Sequence, residues 1–286
     1  MSEITISNIS KWYGTQKKGK YSVKDLNLTI KKGTVFGFLG PNGAGKTTTI
    51  KMIVGLAKPT SGKITIAGGD TNNMTIKQKI GFMPESPSFY LYLTGREFLE
   101  FVANIFTLKN PQKKIEELLL SVELLDAADR QIRTYSKGML QRLGLAQALI
   151  NDPEILFLDE PLDGLDPLGR AEIKKIIMNL KSKNKTIFLN SHILSDVAEL
   201  CDHVGIIDKG TLLVVDTPEN ISRGHRDLED AFVSIIHKRR SSEIGQTKLD
   251  EIQGETEVFK ESYYRTMTKK LLFQRRSLPT TSAQKK

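Results

Sequence analysis

Along the first forty residues, apolar side chains recur at or near every second position. Ile4, Ile6 and Ile9 almost alternate with polar neighbours, and Leu26, Leu28 and Ile30 alternate strictly, the period of a strand with one buried face. Residues 34–39, Thr-Val-Phe-Gly-Phe-Leu, form a compact run that predicts a short strand buried on both faces. A glycine-rich turn follows, then a helix over about 46–55 and further strands at 63–67 and 79–83. Beyond these the period lengthens. Thr94-Gly95-Arg96-Glu97 is a capping box ahead of the apolar run 98–106, Pro111 suits the first turn of a helix to about 121, and Ser136 caps another to 150. Ile155-Leu156-Phe157-Leu158 returns to a buried strand, and Asp166-Pro167 opens a helix to about 181. Residues 186–190 again read as strand, and 204–208 and 211–215 flank a Lys209-Gly210 turn as a hairpin. Strands alternating with helices predict an α/β fold, with the block 85–150 as a helical insertion.

Composition narrows the class without naming it. A chain of 286 residues allows one large or two modest domains, and 26% charged residues is ordinary for a globular protein. The longest apolar run without glycine, 89–93, is five residues, far short of the roughly 18 needed to span a bilayer. The first residues lack a basic start and an apolar stretch, and the single cysteine, Cys201, permits no intramolecular disulfide; both point to the cytoplasm. Of the net charge of +9, +6 falls in residues 237–286, which hold twelve Lys/Arg against six Asp/Glu. The excess left for the rest is too small to imply nucleic acid.

The chemistry concentrates in two segments. Gly40-Pro41-Asn42-Gly43-Ala44-Gly45-Lys46-Thr47-Thr48 matches the P-loop pattern, between a predicted strand and a predicted helix. Its glycines let backbone N–H groups turn inward, so that they and the helix N-terminus cradle phosphate oxygens. Lys46 supplies a cation for the β- and γ-phosphates, and the Thr47 hydroxyl can sit on Mg²⁺. The second segment is Ile155-Leu156-Phe157-Leu158-Asp159-Glu160-Pro161, two acids at the end of a buried strand. Asp159 is assigned to Mg²⁺ and Glu160 to the base that orients or deprotonates an attacking water.

With these motifs and Tyr135-Ser136-Lys137-Gly138-Met139-Leu140-Gln141-Arg142, the chain resembles the nucleotide-binding subunit of ATP-binding-cassette (ABC) transporters over about residues 1–225. The resemblance implies a P-loop NTPase cassette with a RecA-like core, an antiparallel β subdomain and an inserted α-helical subdomain. Tyr135 to Met139 stand where the family has its Leu-Ser-Gly-Gly-Gln signature. Tyr135 replaces Leu, Lys137 the first Gly and Met139 the Gln, while Ser136 and Gly138 keep a hydroxyl and backbone amides at a helix N-terminus. In the family this loop faces the γ-phosphate of ATP held by the other subunit, so two cassettes, identical or paralogous, close over two nucleotides. The resemblance also gives Asp166 to the loop coupling the two sites and His192 to the switch that contacts γ-phosphate and water. Tyr13 has two readings, a stacking platform for adenine and an ordinary strand aromatic. Glu85 stands where the family has a Q-loop glutamine; it can bind Mg²⁺, adds negative charge beside the phosphates and loses a donor. With Lys137, it resembles the branch that serves export permeases.

The resemblance therefore implies an ATP-hydrolysing subunit, with ATP and Mg²⁺ as cofactors, acting on separate transmembrane permeases from the cytoplasmic face of the membrane. The surface near 85–100, with Phe89, Tyr90 and Tyr92, would receive a permease coupling helix or be a buried aromatic cluster. A soluble cofactor-assembly ATPase is the alternative. Translation types carry two cassettes, and DNA-repair types need a long coiled coil that the spacing of Gly40 and Ser136 does not allow. Residues 226–236 resemble the family's closing helix. The tail 237–286 reads as disordered or, through Tyr264, Met267 and Leu271 beside Lys269, Lys270, Arg275 and Arg276, as a basic amphipathic segment suited to an anionic membrane.

Overall fold

The computed structural model describes residues 2–14, 19–71 and 73–244, and the chain divides into units of residues 1–232 and 233–286. The first stretch contains β1 (Ser2–Tyr13), β2 (Lys20–Lys31), β3 (Val35–Leu39), α1 (Lys46–Ile53), β4 (Ser61–Ile66), β5 (Gly69–Asp70), α2 (Met74–Lys77) and β6 (Ile80–Met83). A helical block follows: α3 (Gly95–Ile105), α4 (Gln112–Ser121), 3-10 turns at Leu125–Ala127 and Ile132–Thr134, and α5 (Lys137–Leu149). Then come β7 (Ile155–Asp159), α6 (Pro167–Ser182), β8 (Thr186–Asn190), α7 (Leu194–Leu200), β9 (His203–Asp208), β10 (Thr211–Asp216), α8 (Pro218–Ile221) and α9 (Leu228–Ile244). The amphipathic segment expected around Tyr264, Met267 and Leu271 lies outside the described residues.

The strands form two sheets. One is antiparallel, in the order β2-β1-β4-β5; the other runs β10-β9-β3-β8-β7-β6, parallel except for the β9–β10 hairpin. Every residue of β3, β7 and β8 is buried, as central parallel strands covered on both faces require. The broken alternation of β1 has a physical cause: the register with β2 shifts between Ile6 and Ile9, and Asn8 takes a φ of 49°. This bulge returns Ile9 to the buried face shared by Ile4 and Ile6.

Phe188 of β8 anchors the core, its ring centroid 5.7, 5.4 and 5.7 Å from those of Phe36, Phe38 and Phe157. Truncating such a ring costs about 3–5 kcal/mol. The same apolar cluster takes in Ile50 and Ile53 of α1 and Ile4, Ile6 and Leu28 of the antiparallel sheet. Packing against that core fixes α1 with its N-terminus at the carboxyl end of β3. Leu39, Asn190, Asp159 and Met83 end four adjacent strands on that side, where open α/β sheets place their ligands.

The capping box forms as expected: the Glu97 amide donates to Thr94 Oγ1 at 3.1 Å and the Thr94 amide to Glu97 Oε2 at 2.8 Å. The expected aromatic surface divides. Phe89 is half-buried, edge-on to Phe98 at 5.1 Å, whereas Tyr90 and Tyr92 are exposed.

Candidate functional site

The cradle begins at Gly45, whose φ of 108° belongs to the left-handed region and whose absent Cβ would lie 2.4 Å from the Ser22 carbonyl oxygen of β2. Only glycine fits there. Gly45 also stands at the N-cap of α1, which has no side-chain cap and no acid in its first turn, so no side chain of its own satisfies the leading amides. Lys46 is buried, with Nζ donating to the Gly40 carbonyl at 2.7 Å and the Pro41 carbonyl at 3.4 Å. Burial pushes its ammonium below the usual lysine range, opposed by the attraction of Glu160, Asp159 and Glu85. Thr48 Oγ1 accepts from Ser22 at 3.0 Å, tying the turn to the antiparallel sheet.

Asp159, at the end of β7, is almost fully buried. Burial raises its carboxyl above the ordinary aspartate range; Asn190 and the Thr47 hydroxyl pull it down by hydrogen bonding, while Glu160 and Glu85 push it up. These donors suit Mg²⁺, which takes one or two carboxylates together with substrate phosphates rather than an all-protein cage. No group of three His, Cys, Asp or Glu able to hold a metal occurs among the described residues.

Glu160 follows with a φ of 53°, an uncommon left-handed conformation for a residue with a side chain. Its amide donates to the Asn190 carbonyl at 2.8 Å, and its own carbonyl accepts from the Asp163 amide at 3.1 Å, which together hold the turn. The buried carboxylate meets His192: Oε2 lies 2.7 Å from Nδ1 and accepts the His192 amide at 3.1 Å. The other ring nitrogen, Nε2, is 3.6 Å from Asp163 Oδ1. Glu160 and His192 thus form one unit.

The remaining residues lie at different depths. Ser136 caps α5, accepting the Met139 amide at 3.3 Å, and Asp166 caps α6, accepting the Gly169 amide at 2.8 Å. Tyr135 turns inward, its buried hydroxyl donating to the Ala127 carbonyl at 2.7 Å, so its side chain packs the helical block. Gly138 and Met139 are half-buried, and Lys137 is exposed. Tyr13 is exposed, with the Lys11 ammonium 5.1 Å from its ring centroid. Glu85 is exposed but close enough to act electrostatically on both Lys46 and Asp159.

Two participants escaped the sequence reading. Asn190 donates through Nδ2 to Asp159 Oδ1, an adjacency set by the pairing of Asp159 with Asn190 across β7 and β8. Asp163 is the other. A polar residue ending the strand predicted at 186–190 was the available signal for Asn190; nothing comparable marked Asp163.

A family model described as ABC transporter matches residues 23–163. An uncharacterised ABC transporter ATP-binding protein of a Nostoc species is 47% identical over 74% of this chain and 65% of its own. The bacitracin transport ATP-binding protein of Bacillus licheniformis is 47% identical over 73% of this chain and 68% of its own. A fluoroquinolones export ATP-binding protein of Mycobacterium tuberculosis is 39% identical over 72% and 68%. The chain spans less than two thirds of the Nostoc relative and 55% of a Synechocystis one. Among solved structures, an ATP-binding subunit of an ABC transporter superposes with a TM-score of 0.74 at 29% identity, covering 82% of this chain and 99% of that one. A dimeric ATP-binding cassette in a post-hydrolysis state, bound to ADP and Pi, gives 0.69 at 27% identity, covering 75% and 98%.

Proposed function

The chain belongs to the family of ABC transporter ATP-binding proteins, and from that premise we propose that it binds and hydrolyses ATP to drive transport, in the export direction, through separate membrane permease chains. The observation that carries the reading is the convergence of Lys46, Asp159 and Glu160 at the mouth of the parallel sheet, where each carboxylate acts on the buried ammonium. The α1 amides and Lys46 grip the triphosphate, and Tyr13 stacks on adenine. Thr47 and Asp159, with Glu85 at the edge, would hold Mg²⁺. When bound, that ion would neutralise charge on the β- and γ-phosphates.

Glu160 takes the proton of the attacking water as its oxygen bonds to the γ-phosphorus and the bond to the β–γ bridging oxygen breaks. His192 holds Glu160 in register through Nδ1 and its backbone amide. Signature residues Tyr135 to Met139, led by the Ser136 hydroxyl and the Gly138 amide, complete the site of a second cassette, and Asp166 couples the two sites. ATP thereby favours a closed dimer that hydrolysis reopens.

The permease contact falls between the core and the helical block. A cleft of about 240 Å³ there is lined mainly by apolar residues such as Val54, Leu56, Phe82, Val102 and Phe106, with Lys77, Gln147 and Asn151 among its polar lining, and Tyr90, Leu91, Tyr92, Phe101 and Ile105 are exposed. An apolar helix end from a permease fits this surface. No described helix is long and apolar enough to cross a membrane. In the proposed role the protein works at the cytoplasmic face, attached through its permeases.

Glu160→Gln tests the assignment. Titration of the full chain with magnesium ATP should show binding retained, phosphate release lowered about 100-fold or more, and an ATP-dependent dimer that no longer dissociates. An unaltered rate of phosphate release would remove Glu160 from the role of base.

A further inference from the structure

Lys137 is the first helical residue of α5, where it replaces the first glycine of the family signature, and its ammonium lies 3.5 Å from Asp163 Oδ2 of the same chain. Its stem crosses Gly164: a Cβ there would lie 1.8 Å from Lys137 Nζ and 2.8 Å from Cε, and the φ of +67° favours glycine as well. The lysine therefore has a seat, a bare backbone below and a carboxylate at its end. Asp163 directs its other oxygen, Oδ1, to within 3.6 Å of His192 Nε2, and the opposite edge of that ring contacts Glu160 at 2.7 Å. Lys137, Asp163, His192 and Glu160 thus form a continuous row from the start of α5 to the end of β7.

We propose that Asp163 is a positioning residue for the His192–Glu160 pair and that Lys137 holds it in place within the same chain, rather than serving the nucleotide of the opposite cassette. The proposal rests on the reading of Glu160 and His192 as the hydrolytic pair. A carboxylate against Nε2 fixes the rotation of the imidazole, and hence where Nδ1 meets Glu160. An ammonium on the second carboxylate oxygen fixes the carboxylate in turn. The loop that reads a neighbouring nucleotide is thereby joined to the hydrolytic pair of its own chain.

The test uses the full-length protein, with steady-state phosphate release from magnesium ATP and ring-nitrogen NMR of the histidines in the nucleotide-free state. There are four histidines, and His192→Gln assigns the resonance. Asp163→Asn should lower kcat about tenfold at unchanged KM for ATP, with Asp163→Glu recovering part of the loss. Lys137→Met should lower kcat about threefold, again without a KM change, and the double variant should be no slower than Asp163→Asn alone. Both single variants should move the His192 ring signals in one direction, a readout that does not require turnover.

Unmoved ring signals, an unaltered kcat in Asp163→Asn, or losses that multiply in the double variant would each overturn the proposal. So would a Lys137→Met variant with raised KM and normal kcat, which would give the lysine to the opposite nucleotide. If instead the wild-type chain turned over no ATP, the hydrolytic reading would fail, while the ring signals would still decide whether the row exists.

Discussion

The N-termini of α1 and α5, both assigned to phosphate in the proposed function, are built in opposite ways. At α1 the cap is a glycine without a side chain to offer, the following lysine is buried, and the turn is tied to a second sheet through Ser22. At α5 a serine already occupies the Met139 amide, and the following lysine is exposed and paired with Asp163. The first terminus is complete within one chain and pays, in buried charge, for being ready. The second is capped and solvated, as a surface must be that meets its ligand only when another molecule brings it. Preorganisation thus belongs to the half that binds, and adaptability to the half that closes.

The largest effect that would break this contrast is on nucleotide affinity. Lys46→Ala removes a charge-assisted donor from a buried site and should weaken magnesium ATP binding about 100-fold, as charged hydrogen bonds worth roughly 1.5–3 kcal/mol each imply. Ser136→Ala should leave binding to the isolated chain within about twofold, because the proposed function assigns that hydroxyl to the nucleotide of the opposite cassette. Calorimetric titration at low protein concentration separates the two. Equal losses would mean that the two termini serve one nucleotide.

This division also explains which residues could be read from the sequence. Lys46, Asp159 and Glu160 were legible because each sits in a contiguous segment whose strand-and-turn context encodes its position. Asn190 was visible only as the end of a strand. Its hydrogen bond to Asp159 depends on β8 lying between β3 and β7, and neighbour order across a parallel sheet leaves no trace in periodicity. Ser22 was hidden for the same reason, since it approaches Gly45 from the other sheet. The bulge at Asn8 blurred the alternation of β1, and α7 escaped because seven residues give too few turns to establish a period. Asp163 carried no signal because its partners come from α5 and from beyond β8, distant in sequence.

A smaller effect sharpens the cost side of the contrast. Burial raises the Asp159 carboxyl in the folded chain above its value in the unfolded one. Between those values folding takes up a proton, so stability falls as pH rises through that window, and above it the folded state carries the full cost of a buried charge. Asp159→Asn keeps an acceptor for Asn190 and removes that cost. Its melting temperature should exceed wild type by roughly 2–4 °C at neutral pH, with the gain fading below the ordinary aspartate range. Magnesium ATP should reverse the order by stabilising the wild type alone. A variant that melts below wild type at neutral pH without nucleotide would show that the site is not strained by its own charge.

The smallest effect probes the closing half at Asp166, where one carboxylate caps α6 and also stands in the loop assigned to coupling. An N-cap replaced by alanine loses about 1 kcal/mol, which for a chain of this size lowers melting by roughly 2–4 °C, whereas asparagine caps nearly as well and should change it by only a few tenths of a kcal/mol. Turnover should not follow that ranking. Asparagine restores the hydrogen bond to the Gly169 amide but not the charge. If Asp166 acts across the dimer as an anion, Asp166→Asn should melt like wild type yet hydrolyse ATP as slowly as Asp166→Ala. If turnover instead tracks stability through the series, Asp166 is a helix cap and nothing more, and the coupling of the two sites must run through other residues of the same loop.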